Sequence, residues 1–513
     1  MKMTHLGHAG WIFEHKKFKL VCDPWLDPAG AYFSGWFQFP SNEHLLDTDI
    51  FKNINYIYVS HRHNDHFDSW FLKQLNKEIQ VLIPKFRDKR LRNDFRKLGF
   101  KNIRELKDGE VLKVDDINIT IFPEDGYLDS DSSILFEVDG KKYFNLNDCH
   151  PPFDTIKDKV GDIDLLMLQA SSAIWWPYAY EYDQEYMNEK GKIKRENTIN
   201  RALKYIEILQ PKHVVPNAGP PVFLSKRYRE LDTTRREKTN SFPLLDEIHD
   251  IFFSKGLNSL LLAPGDIIND DFSISYKSNL ITDAYDNYDD YLKNMITEKA
   301  KYNDSLLVKK YDVSVDECLR VIDKFIDRIK EIKKISRFFI HKIDFPILFE
   351  FQDVAKVYVD FRKDNCVSFY GKHYGYKFVF NPIKVALLFR NEYVDFDDYL
   401  LGMNFAATRE PDEYNEFIFA ILKNFDSKRL RVADFLYSKM LDVKEEYIEV
   451  SHNNQKYKCQ RHCPHMKADL KKHGYVNEKG QLVCPIHHWY FDLETGTCEQ
   501  SKNHVLKVEK INE

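Results

Sequence analysis

The sequence predicts a three-part protein of the α/β class, with a layered α/β domain at residues 1–270, a middle α+β domain at 271–445 and a small all-β domain at 446–513. Three observations predict it. Short apolar runs alternate with loops in the first part, an amphipathic helix opens the second, and cysteines and histidines crowd into the third. A chain of 513 residues with 43% hydrophobic residues can bury several cores.

The strands of the first domain are predicted from short, largely apolar runs that are bounded by turn residues. They are expected at 19–22, 54–59, 81–84, 117–122, 133–138, 142–146, 165–169 and 213–216. One helix is expected at 197–209, before the last of these strands. Alternation of strands and helices is typical of a layered α/β domain.

The middle domain is predicted to begin with a helix after a polar segment at 270–312. Ser314 and Glu317 have the spacing of a capping box. Apolar residues then recur every three or four positions, which predicts one buried face; they are Val315, Leu319, Ile322, Ile326, Ile329 and Ile332. Strands are expected at 347–361 and 376–389, followed by helices to about residue 440.

Charge and hydropathy exclude several classes of function. The 75 basic and 80 acidic side chains nearly balance, so no general attraction to nucleic acid is expected. No apolar run approaches the roughly 20 residues of a membrane helix, and the amino terminus lacks a signal pattern. We therefore expect a soluble cytoplasmic protein without a membrane or nucleic-acid partner.

Two cysteine-histidine pairs indicate a metal cluster near the carboxyl end. Cys463 and His465 are separated by one residue, and Cys484 and His487 by two. A Rieske [2Fe-2S] centre binds one iron through two cysteines and the other through two histidines. Each of its two loops supplies one cysteine and one histidine. A structural zinc site is the alternative, but zinc ribbons favour two cysteines in each loop, so this order favours a Rieske domain.

A second cluster lies in the first domain, where a predicted strand runs into His61, His63, Asp65 and His66. This spacing directs two histidines toward one metal ion and the next two side chains toward a second ion. The motif resembles the metallo-β-lactamase superfamily, which implies an αββα sandwich. In that superfamily a carboxylate bridges two metal ions, and Asp148 occupies the matching position.

Two segments near the amino terminus, residues 7–9 and 23–26, also resemble the opening segments of that superfamily. His8 and Asp23 lie in these segments, and either one contacts the metals directly or forms a structural hydrogen bond nearby.

Two histidines of the hydrolase pattern are absent. In place of the first, Glu124, Asp125, Asp129 and Asp131 are candidate ligands, of which Glu124 or Asp125 is preferred. The segment that should carry the last one, residues 215–219 with Asn217 at its middle, has no histidine. A site richer in carboxylates suits iron better than zinc, so one or two iron ions are expected.

Taken together, these motifs resemble the CMP-N-acetylneuraminate hydroxylase family, which combines the same two domains. The resemblance runs through residues 21–26, 35–36, 60–66, 145–149, 209–211, 397–402 and 409–414. The domain order differs, because the Rieske domain comes first in the animal enzymes and last here. The resemblance implies a hydroxylase, with a nucleotide sugar or another N-acyl or amino compound as its small-molecule substrate.

The predicted activity is that of an O2-dependent monooxygenase. The Rieske cluster would take electrons from a ferredoxin, a cytochrome b5-like protein or a flavin reductase and pass them to the iron site. A zinc hydrolase with a redox-sensing Rieske domain is the alternative. A third candidate, an O2-reducing protein of the flavodiiron kind, is disfavoured because the chain has no flavodoxin-like domain and carries His63 where that class has a glutamate.

Overall fold

The computed structural model describes residues 1–124, 131–302, 312–442, 444–486, 489–498, 501 and 503–511. Within the described residues, the chain divides into two compact units. The first contains Met1–Pro151, Ile156–Pro177 and 182–310, and the second contains Pro152–Thr155, Tyr178–Glu181 and 311–513. In the described part of the chain, no helix combines the length and the apolar character that crossing a bilayer requires.

The first unit is built on two sheets. The strands are, in chain order, β1 (Lys2–Gly7), β2 (Gly10–His15), β3 (Phe18–Cys22), β4 (Tyr56–Tyr58), β5 (Gln80–Pro84), β6 (Ile103–Leu106), β7 (Val111–Val114), β8 (Ile117–Pro123), β9 (Ser132–Val138), β10 (Lys141–Asn145), β11 (Leu165–Gln169), β12 (His213–Asn217), β13 (Ile267–Ile268) and β14 (Ile274–Ser275). One sheet has the order β14-β13-β1-β2-β3-β4-β5-β6, and the other has the order β12-β11-β10-β9-β8-β7.

The two sheets share one apolar core. Side chains from both sheets form a single buried cluster, in which the ring centroids of Phe13 on β2 and Phe136 on β9 lie 4.5 Å apart. Alternate residues of each strand reach this core because successive side chains point to opposite faces of a sheet. The arrangement is the predicted metallo-β-lactamase-like sandwich.

Helices connect four of the parallel strand pairs, since a parallel pair needs a crossover. The helices of the first unit are α1 (Ser69–Leu72), α2 (Arg90–Lys97), α3 (Ile156–Val160), α4 (Gln184–Leu209), α5 (Arg229–Thr233), α6 (Leu245–Ser254) and α7 (Tyr288–Lys299). Helix α4 begins thirteen residues before the predicted start at 197. Its first half is polar and contains Gly191, so apolar periodicity does not mark it; the side chain of Asp183 caps it by accepting from Tyr186 N at 2.8 Å.

The second unit contains a five-stranded sheet, of order β17-β16-β15-β18-β19. Its strands are β15 (Ile347–Phe351), β16 (Ala355–Val359), β17 (Val367–Ser368), β18 (Tyr376–Phe380) and β19 (Phe405–Arg409). Its helices are α8 (Val315–Ile335), α9 (Phe338–His341), α10 (Pro382–Arg390), α11 (Phe396–Leu401), α12 (Glu416–Lys423) and α13 (Ser427–Leu441). Ser314 caps α8 as predicted, accepting from Glu317 N at 3.2 Å.

Three predictions for this unit need correction. The helices expected up to about residue 440 are interrupted by strand β19, Phe405–Arg409. The stretch 347–361 is not one strand, because a turn separates β15 from β16. The stretch 376–389 is a strand only to Phe380. It continues as α10 because Asn381 accepts from Ile383 N at 3.0 Å and Pro382 occupies the first turn.

Over the described residues from 444 onward, the end of the chain is all-β apart from one short helix, as predicted. Its strands are β20 (Tyr447–His452), β21 (Gln455–Gln460), β22 (Tyr475–Val476), β23 (Gln481–Cys484), β24 (Trp489–Asp492) and β25 (Val508–Ile511), and its helix is α14 (Leu470–His473). They form two three-stranded sheets, β20-β21-β25 and β22-β23-β24.

Candidate metal centres

The first centre is built on the loop that leaves β4. After Tyr58 the chain turns, and His66 N and Phe67 N both donate to the carbonyl of His63, at 3.0 and 2.7 Å. This tight turn brings the histidines of the motif to one place. His61 Nε2 and His63 Nδ1 lie 2.8 Å apart, so these two nitrogens can face a common ion.

Asp148 lies beside both groups of candidate ligands in this centre. We call these groups its two halves: His61 with His63, and Asp65 with His66. Asp148 follows β10 through a turn in which Asn147 has a φ of 53° and donates its backbone N–H to the Asn145 side chain at 3.0 Å. Asp148 Oδ1 lies 3.5 Å from His66 Nε2 and 3.9 Å from His61 Nδ1. One oxygen of Asp148 thus lies beside nitrogens of two candidate ligands, His66 and His61, although the His61 nitrogen that faces His63 is Nε2 and not Nδ1.

The candidate ligands of the second half are Asp65 and His66, whose Oδ2 and Nε2 lie 3.7 Å apart. Asp23 holds His66 from behind, with its Oδ2 3.1 Å from Nδ1, while its Oδ1 accepts from Ser60 N at 2.7 Å. Such a carboxylate fixes the orientation of a ligating imidazole. Asp23 therefore contacts a candidate ligand rather than the metal position.

The carboxylates proposed in place of the absent histidine have different surroundings. Asp131 is buried, and its Oδ1 lies 3.2 Å from His61 Nδ1. Glu124 Oε1 instead lies 3.9 Å from His150 Nδ1. Asp125 and Asp129 lie outside the described residues. Of the two described candidates, Asp131 is the one with a short contact to the histidine motif.

Asn217, in place of the last histidine, is directed away from this centre. It ends β12 and is fully buried. Its Oδ1 accepts from Trp11 Nε1 at 3.3 Å, and its Nδ2 donates to Asn145 Oδ1 at 3.4 Å. Both ends of the amide are thus engaged within the sandwich.

The electrostatics of the centre favour positive charge. Burial alone would lower the pKa of His61, but Asp131 and Asp148 raise it to about 9. Burial would raise the pKa of Asp148, yet His66 and His61 hold it well below its usual range. Among the described residues, His66 Nε2 and Asp148 Oδ1 are buried and have no hydrogen-bond partner of ordinary geometry. These two atoms lie 3.5 Å apart, and a metal ion bound between them would satisfy both, so the side chains fit metal ions.

The second centre lies in the carboxyl-terminal sheets. Cys484 ends β23, and Cys463 lies on the loop after β21, where its N–H donates to Ala468 O at 2.9 Å. Burial and the neighbouring Cys484 thiol raise the pKa of Cys463 well above its usual value, so a thiolate here needs compensating positive charge. His465 is buried and stacks on Trp489, with centroids 4.1 Å apart. These residues fit an iron-sulfur cluster; the fourth predicted ligand, His487, lies outside the described residues.

The first centre brings His61, His63, Asp65, His66 and Asp148 together. Sequence reasoning missed Tyr32, whose hydroxyl donates to Asp65 Oδ1. Tyr32, Phe33 and Ser34 all have positive φ, a conformation that no residue pattern there indicates.

Three family descriptions match the chain. "Beta-lactamase superfamily domain" matches residues 2–218, "Rv3818-like, SCP2-like domain" matches 321–439, and "Rieske [2Fe-2S] domain" matches 427–509. The predicted metallo-β-lactamase-like domain and the carboxyl-terminal Rieske domain with its [2Fe-2S] cluster are confirmed.

Relatives with curated descriptions fall into two groups. A Rieske 2Fe-2S iron-sulfur protein of Mycolicibacterium smegmatis is 30% identical, and the alignment covers 100% of both chains. A protein of the same description from Mycobacterium tuberculosis is 29% identical over 99% of each. The cytidine monophosphate-N-acetylneuraminic acid hydroxylase of Mus musculus is 27% identical over 43% of this chain and 39% of its own length.

Proposed function

This chain belongs to the family of Rieske 2Fe-2S iron-sulfur proteins that its mycobacterial relatives represent, and we propose that it is an O2-dependent monooxygenase. In this reaction one oxygen atom enters the substrate and the other leaves as water, which consumes two electrons and two protons. A Rieske cluster transfers one electron at a time, so it would deliver the pair in two steps.

The observation that carries the proposal is the presence of both centres in one chain. A buried pair of thiols with His465 fits a redox cluster, and buried histidines with carboxylates fit metal ions. A hydrolase needs only the second. A chain that carries both has the parts for a reaction that needs electrons.

In the first centre, His61, His63, Asp65, His66 and Asp148 would hold one or two iron ions. Asp131, Glu124 or Asp125 would add a carboxylate; the 3.2 Å contact with His61 favours Asp131. Iron bound there would supply the ability to reduce and activate O2. Asp23 and Tyr32 would hold His66 and Asp65 in place. Burial of His61, Asp65 and His66 would limit access of water.

The substrate class rests on the hydroxylase relative. Its name describes a nucleotide sugar with an N-acyl group, and the match covers 43% of this chain. We therefore propose a nucleotide sugar or another N-acyl or amino compound as substrate. A ferredoxin, a cytochrome b5-like protein or a flavin reductase would supply the electrons.

Metal content tests the proposal at its base. Full-length protein purified without oxygen should contain about two irons with two acid-labile sulfides, from the Rieske cluster, and further iron without sulfide. Total iron, zinc and sulfide per chain are the quantities to measure. Stoichiometric zinc in an active preparation, with iron only in the cluster, would contradict the iron assignment and support a zinc hydrolase.

A further inference from the structure

The two halves of the first centre have unequal numbers of imidazoles. His61 and His63 face one position together, whereas His66 is the only histidine of the motif beside Asp65. Asn217, in the segment that should carry the last histidine of the hydrolase pattern, bonds Trp11 and Asn145 instead. The second half therefore lacks an imidazole from β12.

His8 lies beside the two candidate ligands of this half, Asp65 and His66. Its Nε2 is 3.0 Å from Asp65 Oδ2. One ligand atom from each of His8, Asp65 and His66 lies within 4.8 Å of the other two, and all three residues are buried. No other described histidine outside the motif belongs to a potential metal-binding group in this centre.

The backbone holds His8 in this position. It occupies the turn between β1 and β2 with a φ of 47°, a left-handed conformation that is unfavourable for residues with a side chain. Its carbonyl accepts from Ala218 N at 3.1 Å. The ring meets Trp25 edge to face, with centroids 5.2 Å apart. Ala218, the residue after Asn217, thus helps to hold the His8 imidazole in place through this backbone hydrogen bond.

We propose that His8 is a metal ligand of the second half, together with Asp65, His66 and Asp148. This inference rests on the proposed metal centre and deepens it. Each half then has two imidazoles and a share of Asp148, with Asp65 completing one half and a further carboxylate the other. Two complete donor sets of the same type would hold two ions of the same kind rather than one.

A simpler role for His8 is to donate a hydrogen bond to Asp65. Two substitutions separate the two roles. His8→Ala removes both the donor and the ligand. His8→Gln keeps an N–H donor of similar reach but replaces the imidazole with an amide, which is a weak ligand for iron.

The experiment is anaerobic equilibrium dialysis of the full-length chain against ferrous iron, after a chelator has removed loosely bound metal. Sulfide reports the Rieske cluster and serves as an internal standard. The wild type should bind two irons beyond the cluster, and both variants should bind one, with the affinity of the weaker site reduced by more than about 100-fold. His44→Gln, the control, replaces an exposed histidine whose Nε2 lies 3.2 Å from Pro264 O, and should retain both irons.

Three results would overturn the inference: two irons retained in His8→Ala, two irons retained in His8→Gln, or only one iron in the wild type. Dialysis requires neither O2 nor substrate. A chain that loses one iron in both variants but never oxygenates a substrate would support the role of His8 and contradict the proposed function.

Discussion

At the scale of single residues, Asp148 carries the largest share of the proposed chemistry. It lies between two buried imidazoles, at 3.5 Å from His66 and 3.9 Å from His61. Its negative charge is what allows two cations, or two protonated histidines, to lie close together in a buried place. Its loss should therefore affect both metal positions at once.

Replacing Asp148 with Asn removes that charge while preserving the shape of the side chain. We expect the iron beyond the Rieske cluster to fall to one ion or none, and product formation to fall by about 100-fold or more, because metal affinity responds strongly to the loss of a ligand. Iron analysis and a product assay measure both effects. The cluster should still be reduced by its donor, since its own ligands remain.

Asp164→Asn is the matched control, because Asp164 lies beside the same sheet but bonds Lys212 at the surface. If it lowered the iron content as much as Asp148→Asn, the effect would reflect the fold and not the centre.

The sequence identified most of these residues because their spacing is tied to one loop. His61, His63, Asp65 and His66 are close along the chain, so a pattern can reveal them. Asp131 and His8 are close to the centre only after the sheets pack, so the sequence left Asp131 among four candidates and His8 between two roles. Tyr32 depends on a backbone turn without a residue signature.

At the scale of elements, two loops carry the cluster ligands. One loop holds Cys463 through its bond to Ala468 O, and a donor bond from Lys467 N to Cys463 O at 3.0 Å closes it. The other follows directly from β23. These backbone bonds hold the loops independently of the first unit's metal ligands.

Replacing Cys463 with Ser should remove the cluster and leave the first centre loaded. We expect the cluster's characteristic electron paramagnetic resonance signal to disappear, iron without sulfide to persist, and turnover with a reductase to stop. Cys318→Ser, a buried thiol on α8, should keep the signal. Full turnover by Cys463→Ser with a protein donor would show that the cluster does not carry electrons to the reaction.

Several elements could be predicted because their own residues indicate a strand or the start of a helix. The apolar runs of β5 and β11 identify strands, and Ser314 marks the start of α8. The first half of α4 could not be found, because it is polar on most faces. The strand predicted at 376–389 was wrong beyond Phe380, because Asn381 and Pro382 start a helix within an apolar run.

At the scale of the whole molecule, the domain content could be predicted because each metal motif identifies its own domain. The boundaries at 270 and 445 stay predictions. The polar segment after 270 still supplies apolar side chains to the first unit: Tyr288, Leu292 and Met295 of α7 belong to a buried cluster with Phe39 and Val222. Composition averages over a segment and does not reveal the face that a helix buries.

The source of the oxygen atom in the product tests the central claim most directly. Candidate nucleotide sugars and N-acyl compounds would be incubated with the protein and a reductase under ¹⁸O2. A parallel reaction would run in H2¹⁸O under ordinary O2. The mass of each product would be measured by mass spectrometry. A monooxygenase should place one labelled atom from ¹⁸O2 in each product and should consume two electrons for it. Label from water alone, with turnover that continues when the cluster is oxidised and no reductant is present, would contradict the account and identify a hydrolase.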